Sequence, residues 1–398
     1  MYDYKKYVPD GLEDCLPSEC YLKRKMEEAL RQQFILCGYE EIETPTCEFF
    51  DVFQSGVGSY IQESMVKFVD SKGRILVLRP DITVPIARVA ATKLSGEAVK
   101  RLFYIQNSFA AAAPAVGKAG EFTQAGIELI GDGRYQADAE VIALAVKSLV
   151  VAGLGTFTID IGQVAFFKAL ISDLDLSDNQ IDRLRHAVDS KDMMAIRDTA
   201  ALLGIKGKLK DQILALPGLF GGEEVFEKAL ALSDKKECVK AVENLRSVYA
   251  LLSRYGMAEY ISIDFGMLHD IAYYSGIIFR GITPGLGFPV VSGGRYDGLL
   301  QKFGEAAPAT GFALGIKRVM IAMERQGLLE GYYHTYAVIS CDMAGSKEAY
   351  EYSEDLRKTG KRVVYSAGLD RDGLLALKNT VGAEKAVYFN AAGDMEII

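Results

Sequence analysis

The chain has 398 residues, 25% of them charged, and a formal net charge of −8 at pH 7. Its length exceeds one ordinary hydrophobic core and predicts two or three domains of roughly 100 to 200 residues each. The acidic balance, without any run of Lys or Arg, argues against nucleic acid as a partner, and the apolar runs fall far short of the ~20 residues that span a bilayer.

No basic start followed by an apolar core marks a secretion signal, so a cytoplasmic protein is expected. Six cysteines without a C-x-x-C pair and three scattered histidines predict reduced thiols and no metal site.

In chain order, Ser18 is placed to cap a helix in which Leu22, Met26, Ala29, Leu30 and Phe34 recur at helical spacing, with Gly38 as its stop. GYEEIETPT then reads as a strand, and Pro45 puts it at the boundary of a sheet or subunit. MVKFV and RILVL flank the turn Asp70-Ser71-Lys72-Gly73 as a hairpin. Thr83 is placed to cap the next helix, whose early Pro85 sits where a missing N–H costs little.

Leu102 to Gly131 reads as two strands joined by an alanine-rich loop. In the second strand Phe122, Gln124, Gly126, Glu128 and Ile130 share a face, because side chains alternate along a strand. Gln124 and Glu128 flank Gly126 on that face. One reading is a ligand strip, in which the glycine lets a small molecule lie on the backbone while the amide and the carboxylate bond to it. The other is an ordinary half-exposed strand.

A helix follows from Tyr135 to Val151, then the strand TFTIDIG. From about Val164 to Tyr255 the periodicity is helical throughout, which reads as an inserted helical subdomain. Strand character returns in EYISIDFGM, YYSGIIFRGI and FPVVSGG, followed by the strand and helix of GFALGIKRVMIAME. Residues 333–398 alternate strand and helix, which predicts a small separate α/β domain with a largely parallel sheet.

Six segments, GYEEIETPT, RILVLRPDITVPIAR, Phe109 to Gly131, YYSGIIF, GGRYDGLL and GFALGIKR, occur in the order and near the spacing of the class II catalytic core of histidyl-tRNA synthetases. The resemblance covers roughly Ser18 to Arg325. It implies an α+β fold: an antiparallel sheet with flanking helices and a helical insertion over residues 1–325, dimeric through the first motif. Residues 333–398 then resemble a shortened anticodon-binding domain. It also implies a histidine pocket at Asp81, Thr83, Gln124, Glu128 and Tyr274, with Tyr273 beside it. Gly293, Gly294, Arg295 and Tyr296 match the glycine-rich turn next to that pocket, and of these Gly293 and Arg295 are expected to contribute to it.

The catalytic half departs from the synthetase pattern. Where synthetases place an arginine and a glutamate after the phenylalanine matched by Phe109, this chain has Ala110 and Ala112. A second catalytic arginine aligns with His269, and only Arg318 of the third motif is retained. Losing one charge-stabilising donor typically costs a factor of ~100 to 1,000 in rate. A histidine pocket on a core without these groups resembles the regulatory subunits of ATP phosphoribosyltransferase, as does LHDIAYYSGIIFRGI. This implies no catalysis of its own and no cofactor, with the short-form catalytic subunit as partner, L-histidine as effector, and a homodimer within a hetero-oligomer. An active histidyl-tRNA synthetase, or a paralogue that binds another amino acid or protein, are the alternatives.

Overall fold

The computed structural model describes residues 4–54, 65–111, 120–268, 273–329 and 333–398. The chain divides into two compact units, Met1–Asp14 with Lys23–Leu329, and Cys15–Leu22 with Glu330–Ile398.

Among the described residues the first unit is built on a nine-stranded sheet. In chain order its strands are β1 (Glu40–Glu41), then, after a small separate sheet of β2 (Cys47–Phe49), β3 (Lys67–Val69) and β4 (Ile75–Leu78), the strands β5 (Lys100–Phe109), β6 (Glu121–Ile130), β7 (Thr158–Gln163), β8 (Phe220–Gly221), β9 (Ile261–Asp264), β10 (Ile277–Ile282), β11 (Val291–Arg295) and β12 (Ala309–Gly315). Their spatial order is β1-β5-β6-β12-β11-β10-β7-β9-β8. All neighbours are antiparallel except β1 with β5 and β7 with β9. This is the antiparallel α+β architecture expected from the motifs.

Helix Pro17–Leu36 buries Met26, Leu30 and Phe34, spaced by four residues along one face. Phe34 lies 5.4 Å from Phe103 and 6.2 Å from Phe312, ring to ring. Helix Thr83–Thr92 packs Ile86 and Ala90 into a core shared with Tyr104, Leu299 and Leu300. Burying each of the large aliphatic side chains stabilises the fold by about 1.5–3 kcal/mol.

Several boundaries differ from the sequence reading. The first helix starts at Pro17, so Ser18 lies inside its first turn rather than capping it; proline's missing N–H costs nothing there. Thr83 is the first helical residue, and its cap role falls to Asp81, whose Oδ1 accepts from the Val84 N–H at 2.8 Å. GYEEIETPT contributes only the two-residue β1, at the edge of the sheet. Val164 to Tyr255 is helical apart from β8, which pairs with β9 and extends the main sheet.

In the second unit, β13 (Ala337–Cys341) lies between the parallel strands β14 (Val363–Tyr365) and β15 (Lys385–Phe389), and β16 (Met395–Ile397) adds an antiparallel edge. Val387 and Phe389 face a core with Ala349 of helix Ser346–Lys358, whereas Ala386 and Tyr388 face one with Leu374 of helix Arg371–Val381. The two helices therefore cover opposite faces of the sheet.

Candidate functional site

The centre of the nine-stranded sheet is hollow because its side chains there are small. Register sets Gly311 opposite Glu128 and Gly315 opposite Gln124, and Ser292 of β11 lies across from Ala313. Over this floor is a cavity of about 120 Å³, walled by Asp81 and Thr83, by Tyr273 and Tyr274 ahead of β10, by Tyr296 after β11 and by Arg318.

Glu128 is 1% exposed. Thr83 donates its hydroxyl to Glu128 Oε1 at 2.6 Å, and the Tyr296 hydroxyl donates to Oε2. Burial still dominates and pushes the carboxyl up to about 8; the two hydroxyls pull the other way and the nearby Asp81 charge adds to the rise. Burial likewise raises Asp81, against donation from the Val84 N–H and from the Tyr273 hydroxyl at 3.3 Å. Two carboxyl groups thus face one cavity, and the Asp81 charge disfavours ionisation of Glu128, so a ligand cation or N–H donor would be attracted to both. Tyr273 packs edge-on to Tyr274 and Tyr296, at 5.2 and 5.7 Å between centroids. Gln124 accepts from the Ser108 hydroxyl at 2.7 Å, which orients its amide.

The structure gathers Asp81, Thr83, Gln124, Glu128, Tyr273 and Tyr274 on one cavity. Gly293 and Arg295 stand apart from it. Arg295 binds Asp138 at 3.0 Å and Asp297 at 3.1 Å, together with the carbonyls of Asp132 and Arg134. A Cβ on Gly293 would meet Phe279 and Phe312. The reason is parity: along β11 Ser292, Gly294 and Tyr296 share the cavity face, which leaves Gly293 and Arg295 on the other. Tyr296, quoted above only as part of the glycine-rich turn, is therefore a direct partner of Glu128, and the two-residue period was the signal for it.

Gly126 also differs from the ligand-strip reading. The Tyr104 phenol fills the space over it, so the missing Cβ accommodates a core ring rather than a ligand. Ala110 lies at the base of its loop, where its N–H donates to the Gly120 carbonyl at 2.9 Å. The Gly120 N–H donates in turn to Gly11 at 2.6 Å. Ala112 and His269 fall outside the described residues. Among the described residues no group of three His, Cys, Asp or Glu side chains could hold a metal ion, and no helix is long and apolar enough to cross a membrane.

The antiparallel sheet, its flanking helices and the carboxylate-floored cavity define a class II, histidyl-tRNA synthetase-like fold. The family described as Histidyl-tRNA synthetase matches residues 11–319. A Nostoc histidyl-tRNA synthetase superimposes with a TM-score of 0.83 at 20% identity, covering 99% of this chain and 96% of that one, a likeness of fold. A Bacillus halodurans protein described as an ATP phosphoribosyltransferase regulatory subunit/histidyl-tRNA synthetase gives 0.85 at 34% identity over 98% and 99% of the two chains. An ATP phosphoribosyltransferase regulatory subunit from Acetivibrio thermocellus is 45% identical over 91% of this chain and 87% of its own length. The chain belongs to the family of ATP phosphoribosyltransferase regulatory subunits.

Proposed function

We propose that this chain is a cytoplasmic regulatory subunit without catalysis of its own, which activates a short-form ATP phosphoribosyltransferase catalytic subunit and makes it sensitive to L-histidine, in the first step of histidine biosynthesis. Histidine occupies the cavity, its ammonium and imidazole N–H groups satisfied by Asp81, Thr83, Gln124 and Glu128 and its ring packed by Tyr273 and Tyr274. The observation that carries the reading is the buried Glu128, held by two hydroxyls at the floor of an amino-acid-sized cavity. In this reading the subunit works as a homodimer within a hetero-oligomer, and residues 333–398 are a shortened counterpart of an anticodon-binding domain.

Adenylate chemistry requires fixed cations at the α-phosphate. Ala110 supplies a methyl group where a synthetase has a guanidinium. Histidine occupancy instead biases the conformation of the complex, a coupling typically worth about 1–3 kcal/mol and reciprocal between the two ligands. The test is reconstitution with a short-form catalytic subunit. Phosphoribosyl transfer should rise on mixing and fall on adding histidine. The second reading, an active histidyl-tRNA synthetase, is favoured by the retained Arg318; histidine-dependent ATP–pyrophosphate exchange at synthetase rates would establish it and overturn ours.

A further inference from the structure

Arg318 is a cation on the cavity wall with no anion paired to it among the described residues. Its stem lies over Gly315, its guanidinium sits 5.2 Å from the Phe288 ring, and Nη1 donates to the Pro289 carbonyl at 3.0 Å. These contacts position the group without neutralising it. Among the described residues no carboxylate lies within ion-pair distance of it, in contrast to the neighbouring Lys317, which pairs with Glu13. Burial lowers its pKa, and among the described residues no acidic neighbour opposes the shift. A partly buried charge without a counter-charge is costly to keep.

The ladder supplies the geometry. Glu128 lies opposite Gly311 and Gln124 opposite Gly315, so the Arg318 end of the floor is four residues from the Glu128 end, roughly 13 Å along the strand. The cavity therefore has carboxylates at one pole and a guanidinium at the other, a charge pattern complementary to a zwitterion.

We propose that Arg318 anchors the α-carboxylate of the amino acid bound in this cavity, a role that rests on the histidine reading above. The guanidinium offers its donors in a fork that matches a carboxylate. Selection for the free amino acid over the corresponding amine follows.

The test is calorimetric titration of the full chain with L-histidine and with histamine, which keeps the imidazole and the ammonium and lacks the carboxylate. In the unmodified protein histidine should bind more tightly than histamine. In Arg318→Gln histidine should weaken by about tenfold or more, the scale of a lost charge-assisted bond, with histamine unchanged. If Arg318→Gln does not fold, Arg318→Lys is titrated instead; it should lose part of the discrimination. Equal weakening of both ligands would assign Arg318 a structural role and overturn the proposal, as would unchanged histidine affinity. Failure of the unmodified chain to bind histidine would overturn the pocket reading and this inference with it.

Discussion

Gly311 stands directly opposite Glu128 in the β6–β12 ladder, and the space left by its missing side chain holds the Glu128 carboxylate. Any Cβ at this position would overlap Oε2. Gly311→Ala is therefore expected to displace Glu128 from Thr83 and Tyr296. We expect a stability loss of about 1–3 kcal/mol, the usual cost of overpacking, and a drop in histidine affinity of about tenfold or more. Thermal unfolding and titration calorimetry on the same sample check both.

The raised Glu128 pKa predicts two pH dependences. Its folded value of about 8 lies above the ordinary 4.5, so the native state without ligand holds an extra proton between those limits. The stability this group contributes is full below about 4.5 and is lost as pH rises through about 8. A cationic or N–H-donating ligand favours the ionised form, so affinity should rise from about pH 6.5 to 8 by up to roughly tenfold per unit. Glu128→Gln should abolish the slope. A flat profile in the unmodified chain would contradict the assignment.

Tyr296→Phe removes one of the two hydroxyls that hold the carboxylate. The expected cost is about 0.5–1.5 kcal/mol of stability. Glu128 should also titrate higher, which moves the rise in histidine affinity to higher pH. The pH profile of binding in this variant tests that shift.

Arg295 and Asp138 form a buried pair on the opposite face from the cavity, where burial pushes Asp138 to about 6 against the pull of the guanidinium. Arg295→Met should destabilise the chain by about 3–5 kcal/mol by leaving Asp138 uncompensated. Arg295→Met with Asp138→Leu should recover most of the loss. Histidine affinity of the folded fraction should not change in either. Weakened binding in the double variant would return Arg295 to the site.

Much of the pocket could be read from sequence because it lies on a long strand. Ten residues of period-two alternation in β6 are enough to assign Gln124 and Glu128 to one face, and Asp81 and Thr83 follow a recognisable R-P dipeptide. What escaped depended on contacts distant in sequence. The Thr83 hydroxyl serves Glu128, 45 residues away, rather than its own helix. The slot over Gly126 is filled by Tyr104 from the neighbouring strand. Strands β1 and β8 have two residues each, too few to show a period, and pair only because the sheet edges are available. Arg295 and Tyr296 are adjacent in sequence yet on opposite faces, a distinction that motif matching ignores and alternation resolves.

The role proposed for the Glu128 cavity is regulation of a partner's chemistry by its occupancy. The most direct measurement is histidine inhibition of phosphoribosyl transfer by a short-form catalytic subunit assembled with either the unmodified chain or Glu128→Ala, each normalised to its histidine-free rate. Glu128→Ala is expected to raise the half-inhibitory histidine concentration by about tenfold or more, the loss expected for hydrogen bonds to a buried charge. The same half-inhibitory concentration with both chains would contradict it.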